Sequence, residues 1–180
     1  MKINVTGTSS SGKSTLSKKI AHRLNIPYIE LDQLFWQPNW QGSSDDIFFA
    51  KIEAALSQPA WVLDGNYTRT TEIKWRHVDM VVWLDLPFTR TMFQAIKRAL
   101  TRIITQKELW PNTGNRETMR KVFFDRHSIL LWTWQTYRPN REKYLAMMAN
   151  PQYAHITFVH LRSTKEIEKF LMSLDFDHNS

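Results

Sequence analysis

Cysteine is absent from the 180 residues, which excludes thiol nucleophiles, disulfides and Cys-containing zinc sites. Glycine (five) and proline (seven) are scarce, so neither a fibrous repeat nor a Gly/Pro-rich disordered chain fits. Apolar runs are short. Met80-Val81-Val82-Trp83-Leu84 falls far below the roughly 18 residues of a membrane span. The amino-terminal residues do not read as an apolar signal segment, so a cytoplasmic location without membrane attachment is the expectation. The six His show no metal-ligand spacing. What is present is 42% hydrophobic and 13% aromatic residues, in a chain of the length at which one domain buries roughly 70% of its unfolded surface.

Charge is uneven. The formal net charge is +7, yet residues 90 to 143 hold twelve basic and four acidic residues, against twelve and thirteen in the remainder. The basic character therefore belongs to one segment, and something anionic would meet it. A nucleic-acid backbone would suit it, as would the clustered phosphates of a nucleotide held in a closing lid. Composition leaves both open.

Lys2 to Thr6 is a short β-prone run, followed by a Gly-bounded turn and a helical pattern in Leu16, Ile20 and Leu24. Pro27 to Leu31 reads as a second strand ending at Asp32. Trp61 to Leu63 gives a third, closing on Asp64-Gly65, and Val78 to Leu84 a fourth. The last two are continuous apolar runs, as a sheet covered on both faces requires. Asp45 and Asp46 suit a helix start. Pro87 opens a helix to about Lys107, Trp110 to Gly114 forms a turn, and Glu117 to Tyr137 is again helical. His155 to Leu161 is a fifth strand, Ser163 and Glu166 make a capping box for the last helix, and 175 to 180 read as a frayed tail. This alternation predicts a single α/β domain over residues 1–180, a parallel sheet flanked by helices. A helical basic lid, about 90–150, would be inserted between strands 4 and 5.

Gly7-Thr8-Ser9-Ser10-Ser11-Gly12-Lys13-Ser14 matches G-x-x-x-x-G-K-[ST] in full, after a strand and opening a helix. In such a loop the glycines let backbone N–H groups turn inward around a β-phosphate, with the helix amino end adding partial positive charge. Lys13 would reach the β and γ phosphates, Ser14 would offer its hydroxyl to Mg²⁺, and Thr15 follows in the same turn. ATP and Mg²⁺ are the expected ligands.

Other residues suit the same chemistry. Asp64, at the carboxyl end of a strand, would hold a Mg²⁺-bound water or else cap the next segment, and Gly65 would let the chain pass close to the ligand. Arg69 would meet an anionic substrate group or lie in solvent. Asp32 would take a proton from an attacking hydroxyl or cap a helix, with Trp36 beside it as a packing or acceptor-facing ring. Arg98 and Arg102 share one helix face, and Arg116 and Arg120 repeat the spacing. Any of Arg98, Arg102 and Arg116 would neutralise charge on a transferred phosphoryl group or lie on a solvated basic face. Arg162, after the fifth strand, would border the nucleotide base.

With these residues in view, the chain resembles the P-loop kinases of the adenylate kinase and shikimate kinase type. It is most similar to small bacterial DNA topology modulation proteins of the FlaR-related kind. The likeness runs through Gly7 to Ser14, Leu31-Asp32, Trp61 to Tyr67, Val81 to Pro87, the Arg-rich segment and His160 to Ser163. It implies the P-loop NTPase fold, a five-stranded parallel sheet with helices on both faces, and ATP with Mg²⁺. Adenylate kinases read Leu-Asp-Gly-Phe-Pro-Arg-Thr where this chain has Leu63-Asp64-Gly65-Asn66-Tyr67-Thr68-Arg69-Thr70, one residue longer before the Arg. No Arg follows Asp32 closely, which weakens a monophosphate acceptor. Asp32 to Pro38 looks instead like the Asp-Asp-Phe-Phe-Lys-Pro of uridine and nicotinamide riboside kinases, favouring a hydroxyl acceptor.

The expectation is an ATP-dependent phosphotransferase acting on a small molecule such as a nucleoside, nucleotide or related metabolite. The alternative is a DNA-associated NTPase whose basic segment contacts backbone phosphates, although no base-reading motif accompanies it. A third reading is a nucleotide-binding protein with negligible chemistry.

Overall fold

Five short strands form one sheet, and the two faces of its central strands go to different layers. In the computed structural model, which describes residues 1–105, 108–111, 113–115 and 129–176, the strands are β1 (Lys2–Gly7), β2 (Tyr28–Glu30), β3 (Trp61–Asp64), β4 (Met80–Leu84) and β5 (Thr157–Leu161). They pair in the order β2-β3-β1-β4-β5, every pair parallel. The chain thus has the α/β architecture that the sequence predicts, a five-stranded parallel sheet flanked by helices. Among the described residues no helix is long and apolar enough to cross a membrane.

Strand side chains alternate between two cores. Ile3, Val5, Val62, Val82 and Leu84 pack under α1 (Lys13–Leu24) and α7 (Thr164–Phe176). Ile29, Trp61, Leu63, Val81 and Trp83 face the opposite layer with Phe48, Ile52, Trp75 and Tyr144. That layer is built from α3 (Asp45–Leu56), α4 (Thr71–Trp75) and α6 (Ile129–Met148); α2 (Leu31–Phe35) and α5 (Phe88–Thr105) complete the helices among the described residues. One polar side chain sits in the centre of the sheet. Asn4 is fully buried, and its amide donates to the Leu63 carbonyl at 3.0 Å and accepts from the Trp75 indole at 2.9 Å. A buried amide needs such partners.

Several boundaries differ from the sequence reading. β2 stops at Glu30, and Asp32 lies inside α2 rather than at a strand end. Leu31 turns inward there to pack against Gly65, where a Cβ would stand 2.7 Å from Leu31 Cδ1. β4 and β5 each begin two residues later than predicted. The last helix continues through Phe176, so Asp175 and Phe176 do not belong to a tail, while 177–180 lie outside the described residues. Half of its capping box is present: Ser163 Oγ accepts from Glu166 N–H at 3.2 Å, while the Glu166 carboxylate accepts from the N–H of Arg162, one residue before the cap, at 2.7 Å.

The largest difference is α6, which passes through Pro139 to Met148 instead of ending near Tyr137. An interior proline costs a helix about 3 kcal/mol. Tyr137, Arg141 and Tyr144 share one face, and each reaches the sheet rim: Tyr137 O–H donates to Leu86 O at 2.9 Å, Arg141 pairs with Asp85 at 3.0 Å, and Tyr144 is buried. Burying one aromatic (roughly 1.5–3 kcal/mol) with two hydrogen bonds (about 1 kcal/mol each) offsets the proline. Residues 116–128, the first part of the predicted second helical stretch, lie outside the described residues.

Lys74 on α4 is 2% exposed, its ammonium donating to Tyr67 O at 3.2 Å. Burial, with Lys143 adding to it, brings its pKa from 10.5 down to about 7. The folded value lies below the unfolded one. The stability tied to this group is therefore full above about 10.5 and is lost as pH falls through about 7. Lys74→Met removes that dependence. Its melting temperature should gain on wild type as pH drops from about 10 to about 7, and thermal melts that run parallel across this range would refute it.

Candidate active site

The residues between β1 and α1 fold as a tight loop whose conformation only part of the sequence tolerates. Gly7 has φ +149° and Gly12 φ +97°, and a Cβ at Gly7 would lie 2.7 Å from Leu84 O. Ser10 also takes a positive φ of 65°. Ser11 N–H donates to Thr8 O at 3.1 Å, and Leu16 N–H to Gly12 O at 3.0 Å as α1 begins. Lys13 and Ser14 stand half-buried in the first turn of α1, with Thr15 exposed behind them.

Four buried side-chain oxygens around this loop have no hydrogen-bond partner: Thr6 Oγ1, Ser10 Oγ, Ser11 Oγ and Asp64 Oδ1. Such orphans are uncommon in a folded protein and call for a ligand or water. Three belong to the loop or the residue before it. The fourth lies on β3, beside β1, with Asp64 in register with Val5. From above, α5 brings Arg98 onto the loop, its guanidinium donating to Ser9 Oγ at 3.2 Å. Arg102 lies one turn further along α5, half-buried. Arg116 lies outside the described residues.

Beside the loop is an acidic corner. Glu30 and Asp64 are register partners on β2 and β3, and the Tyr28 hydroxyl faces both, at 3.1 Å from Glu30 Oε2 and 3.2 Å from Asp64 Oδ2. One hydroxyl hydrogen serves two carboxylates. Burial and the neighbouring Asp64 push the Glu30 pKa up, and burial with the two carboxylates pushes the Tyr28 phenol up. Asp32, half-buried on α2, accepts from the Tyr67 hydroxyl at 2.8 Å. Gly65, buried, passes the chain between this corner and the loop.

Arg69 stands in the turn before α4, its side chain 43% exposed. It pairs with Asp45 at 3.1 Å and lies over the rings of Phe35, Phe48 and Tyr67, 5.0–5.7 Å from their centroids. Trp36 stacks on Trp110 at 5.7 Å with an interplanar angle of 19°, and Trp40 meets both edge-on. Asn115, buried, ties this trio together: its amide donates to Gln37 O at 3.0 Å and accepts from Trp40 N–H at 2.9 Å. Trp36 thus joins the loop after α2 to the 108–115 turn. Arg162 is exposed beyond β5.

The sequence reading missed a third group of residues. Asp85, one residue beyond β4, is 9% exposed and accepts from Arg141 Nε at 3.0 Å, with His160 Nε2 2.9 Å away. The His160 ring stacks on Trp83 at 4.1 Å. Lys143 donates to Thr68 Oγ1 at 3.0 Å, and Tyr144 to Asn66 Oδ1 at 3.2 Å. A signal existed for Asp85, since Leu84-Asp85 repeats the apolar-strand-then-aspartate pattern of Leu63-Asp64. Asn66 and Tyr144 gave none.

No family model matches the chain, and no curated protein is significantly similar to it. Among solved structures it is similar to a gluconokinase from Sinorhizobium meliloti 1021, at 17% identity and a TM-score of 0.49, over 99% of this chain and 95% of that one.

The acidic corner has a measurable consequence. Because the folded pKa of Glu30 is raised above 4.5, its contribution to stability is full below that value and is lost as pH rises through the folded pKa. Glu30→Gln keeps a polar group for Tyr28 without the charge. In nucleotide-free protein the variant should match wild type near pH 4 and melt higher near pH 8. A wild type more stable than the variant at pH 8 would refute the assignment.

Proposed function

We propose that the protein is an ATP-dependent phosphotransferase that moves the γ-phosphoryl group to a hydroxyl of a small acceptor, a nucleoside, nucleotide or related metabolite. The observation that carries this reading is the set of orphaned oxygens at Thr6, Ser10, Ser11 and Asp64 around a Gly-Lys-Ser loop, with a cationic side chain of α5 brought onto the same loop. The adenylate kinase-like reading, and the likeness to the FlaR-related proteins, rest on Gly7 to Ser14, Leu63 to Thr70 and Val81 to Pro87.

The residues fit the roles. Backbone N–H groups of the loop and the amino end of α1 would cradle the phosphates, and Lys13 would reach the β and γ groups. Ser14 and Asp64 would hold Mg²⁺, directly or through water, since no larger group of metal-binding side chains occurs among the described residues. Bound Mg²⁺ would supply charge neutralisation between the β and γ phosphates. Arg98 would stabilise charge on the transferring group. Asp32, oriented by the Tyr67 hydroxyl, would accept the proton of the attacking acceptor hydroxyl as its oxygen bonds to phosphorus and the bond to the β,γ-bridging oxygen breaks, releasing ADP.

One observation favours this reading over a nucleic-acid-binding NTPase: Arg98 of the basic segment is turned onto the Gly-Lys-Ser loop at Ser9, although Arg90, Lys97, Arg138 and Arg141 of the same segment are exposed.

The test is ADP release from Mg-ATP across nucleosides, nucleoside monophosphates and small hydroxylated metabolites. Acceptor-dependent release is expected with at least one of them. Lys13→Ala should abolish it, and Arg98→Ala should lower kcat by roughly 10²-fold or more. Release stimulated by duplex DNA alone, or unchanged in Lys13→Ala, would overturn the proposal.

A further inference from the structure

The phosphate loop begins where the sheet runs out of backbone partners. β3 ends at Asp64, opposite Val5, and the last backbone bond on that side of β1 runs from Gly65 N–H to Val5 O at 3.3 Å. Along a strand, alternate residues direct their N–H and C=O to the same neighbour. The next residue to face β3 is therefore Gly7, which has no strand residue beside it there. Left alone, its N–H and C=O would be unpaired at the rim of a buried sheet, a costly state for backbone groups.

A side chain fills the gap. Asn66 Oδ1 accepts from Gly7 N–H at 3.0 Å, and Asn66 Nδ2 donates to Gly7 O. Both backbone groups of one residue are thus held by one carboxamide, as a neighbouring strand would hold them. The amide orientation follows from the donors around it: flipped, its N–H₂ would face the Gly7 N–H, and its oxygen the Gly7 carbonyl. Tyr144 O–H also donates to Oδ1 at 3.2 Å. Tyr144 is 2% exposed on α6, its ring against Trp83, so the hydroxyl is fixed by packing.

We propose that Asn66 is a positioning residue for the phosphate loop: its carboxamide, set by the Tyr144 hydroxyl, takes the place of a β3 residue beside Gly7 and fixes the peptide from which the loop turns. The residue acts through the loop backbone. An aspartate has the right shape and no donor, so it would leave the Gly7 carbonyl unpaired with a carboxylate against it. The placement also joins α6 to the loop through two hydrogen bonds, from Tyr144 to Asn66 and from Asn66 to Gly7. The consequence for nucleotide affinity rests on the reading of Gly7–Ser14 as a phosphate site, whereas the consequence for Gly7 itself does not.

The experiment is hydrogen exchange on the full nucleotide-free chain, comparing wild type with Asn66→Asp and Tyr144→Phe, followed by equilibrium binding of Mg-ATP. In Asn66→Asp the amides from Gly7 to Gly12 should exchange roughly tenfold or more faster while β4 keeps its protection, and Mg-ATP should bind about tenfold or more weakly. Tyr144→Phe, which keeps the packed ring, should shift both in the same direction by a smaller factor. A purely structural role would instead loosen β1, β3 and β4 together and lower the melting temperature without a local change. That result, or unchanged Gly7 exchange in both variants, overturns the proposal. A wild type that binds no Mg-ATP would overturn the phosphotransferase reading, and the exchange measurement would still decide the role of Asn66.

Discussion

Because all five strands run parallel, their carboxyl ends share one rim, and the chain uses that rim for nearly every group with chemistry to offer. Gly7, Glu30, Asp64, Asp85 and Arg162 each end or directly follow a strand, so five separate stretches of sequence deliver backbone and charge to the same edge. Parallel pairing also requires helices on both faces, and it is the helices that pack the two apolar layers beneath this edge. A one-residue shift of any strand would exchange its two faces, placing the side chains of one core in the other. The site depends on that register, most visibly where Asp64 lies against Val5 and Glu30 against Asp64.

The rim carries buried charge, which is expensive. Asp85 meets Arg141 and His160, and Glu30 and Asp64 share a single tyrosine hydroxyl. With its arginine half exposed, the Asp85–Arg141 pair adds little net stability. Its physical effect is orientation. Asp85 fixes where α6 crosses the sheet end, and with Tyr137 and Tyr144 it keeps that helix on the rim despite Pro139. Residues 129–143 of the basic segment therefore belong to a docked helix, while α5 carries Arg98 to the loop. A divalent cation near Asp64 would relieve the repulsion in the acidic corner, so the electrostatic strain and the proposed ligand fit each other.

The fold was largely legible from residue patterns. Continuous apolar runs such as Val81 to Leu84 marked buried parallel strands, and Leu16, Ile20 and Leu24 marked the inner face of α1. Asp32 was misplaced because a five-residue helix has too few residues to show a period. α6 was cut short at Arg138-Pro139 because the contacts that outweigh the proline come from Asp85, Leu86 and Asn66, none of them local. The sequence leaves Arg69 to a substrate anion or to solvent. Its partner is Asp45, on a helix whose position relative to the 65–70 loop no spacing rule gives.

The Gly7–Ser14 loop was legible locally, since strand, glycines, lysine and helix start are contiguous and their geometry follows from local backbone preference. So was the two-sided sheet, since burial on both faces leaves its mark in β3 and β4. What surrounds the loop follows from long-range packing. Asn66 lies 59 residues from Gly7 and Arg98 lies 89 from Ser9; contacts across such separations depend on how the elements pack, and that packing minimises exposed apolar area and unpaired polar groups over the whole chain at once.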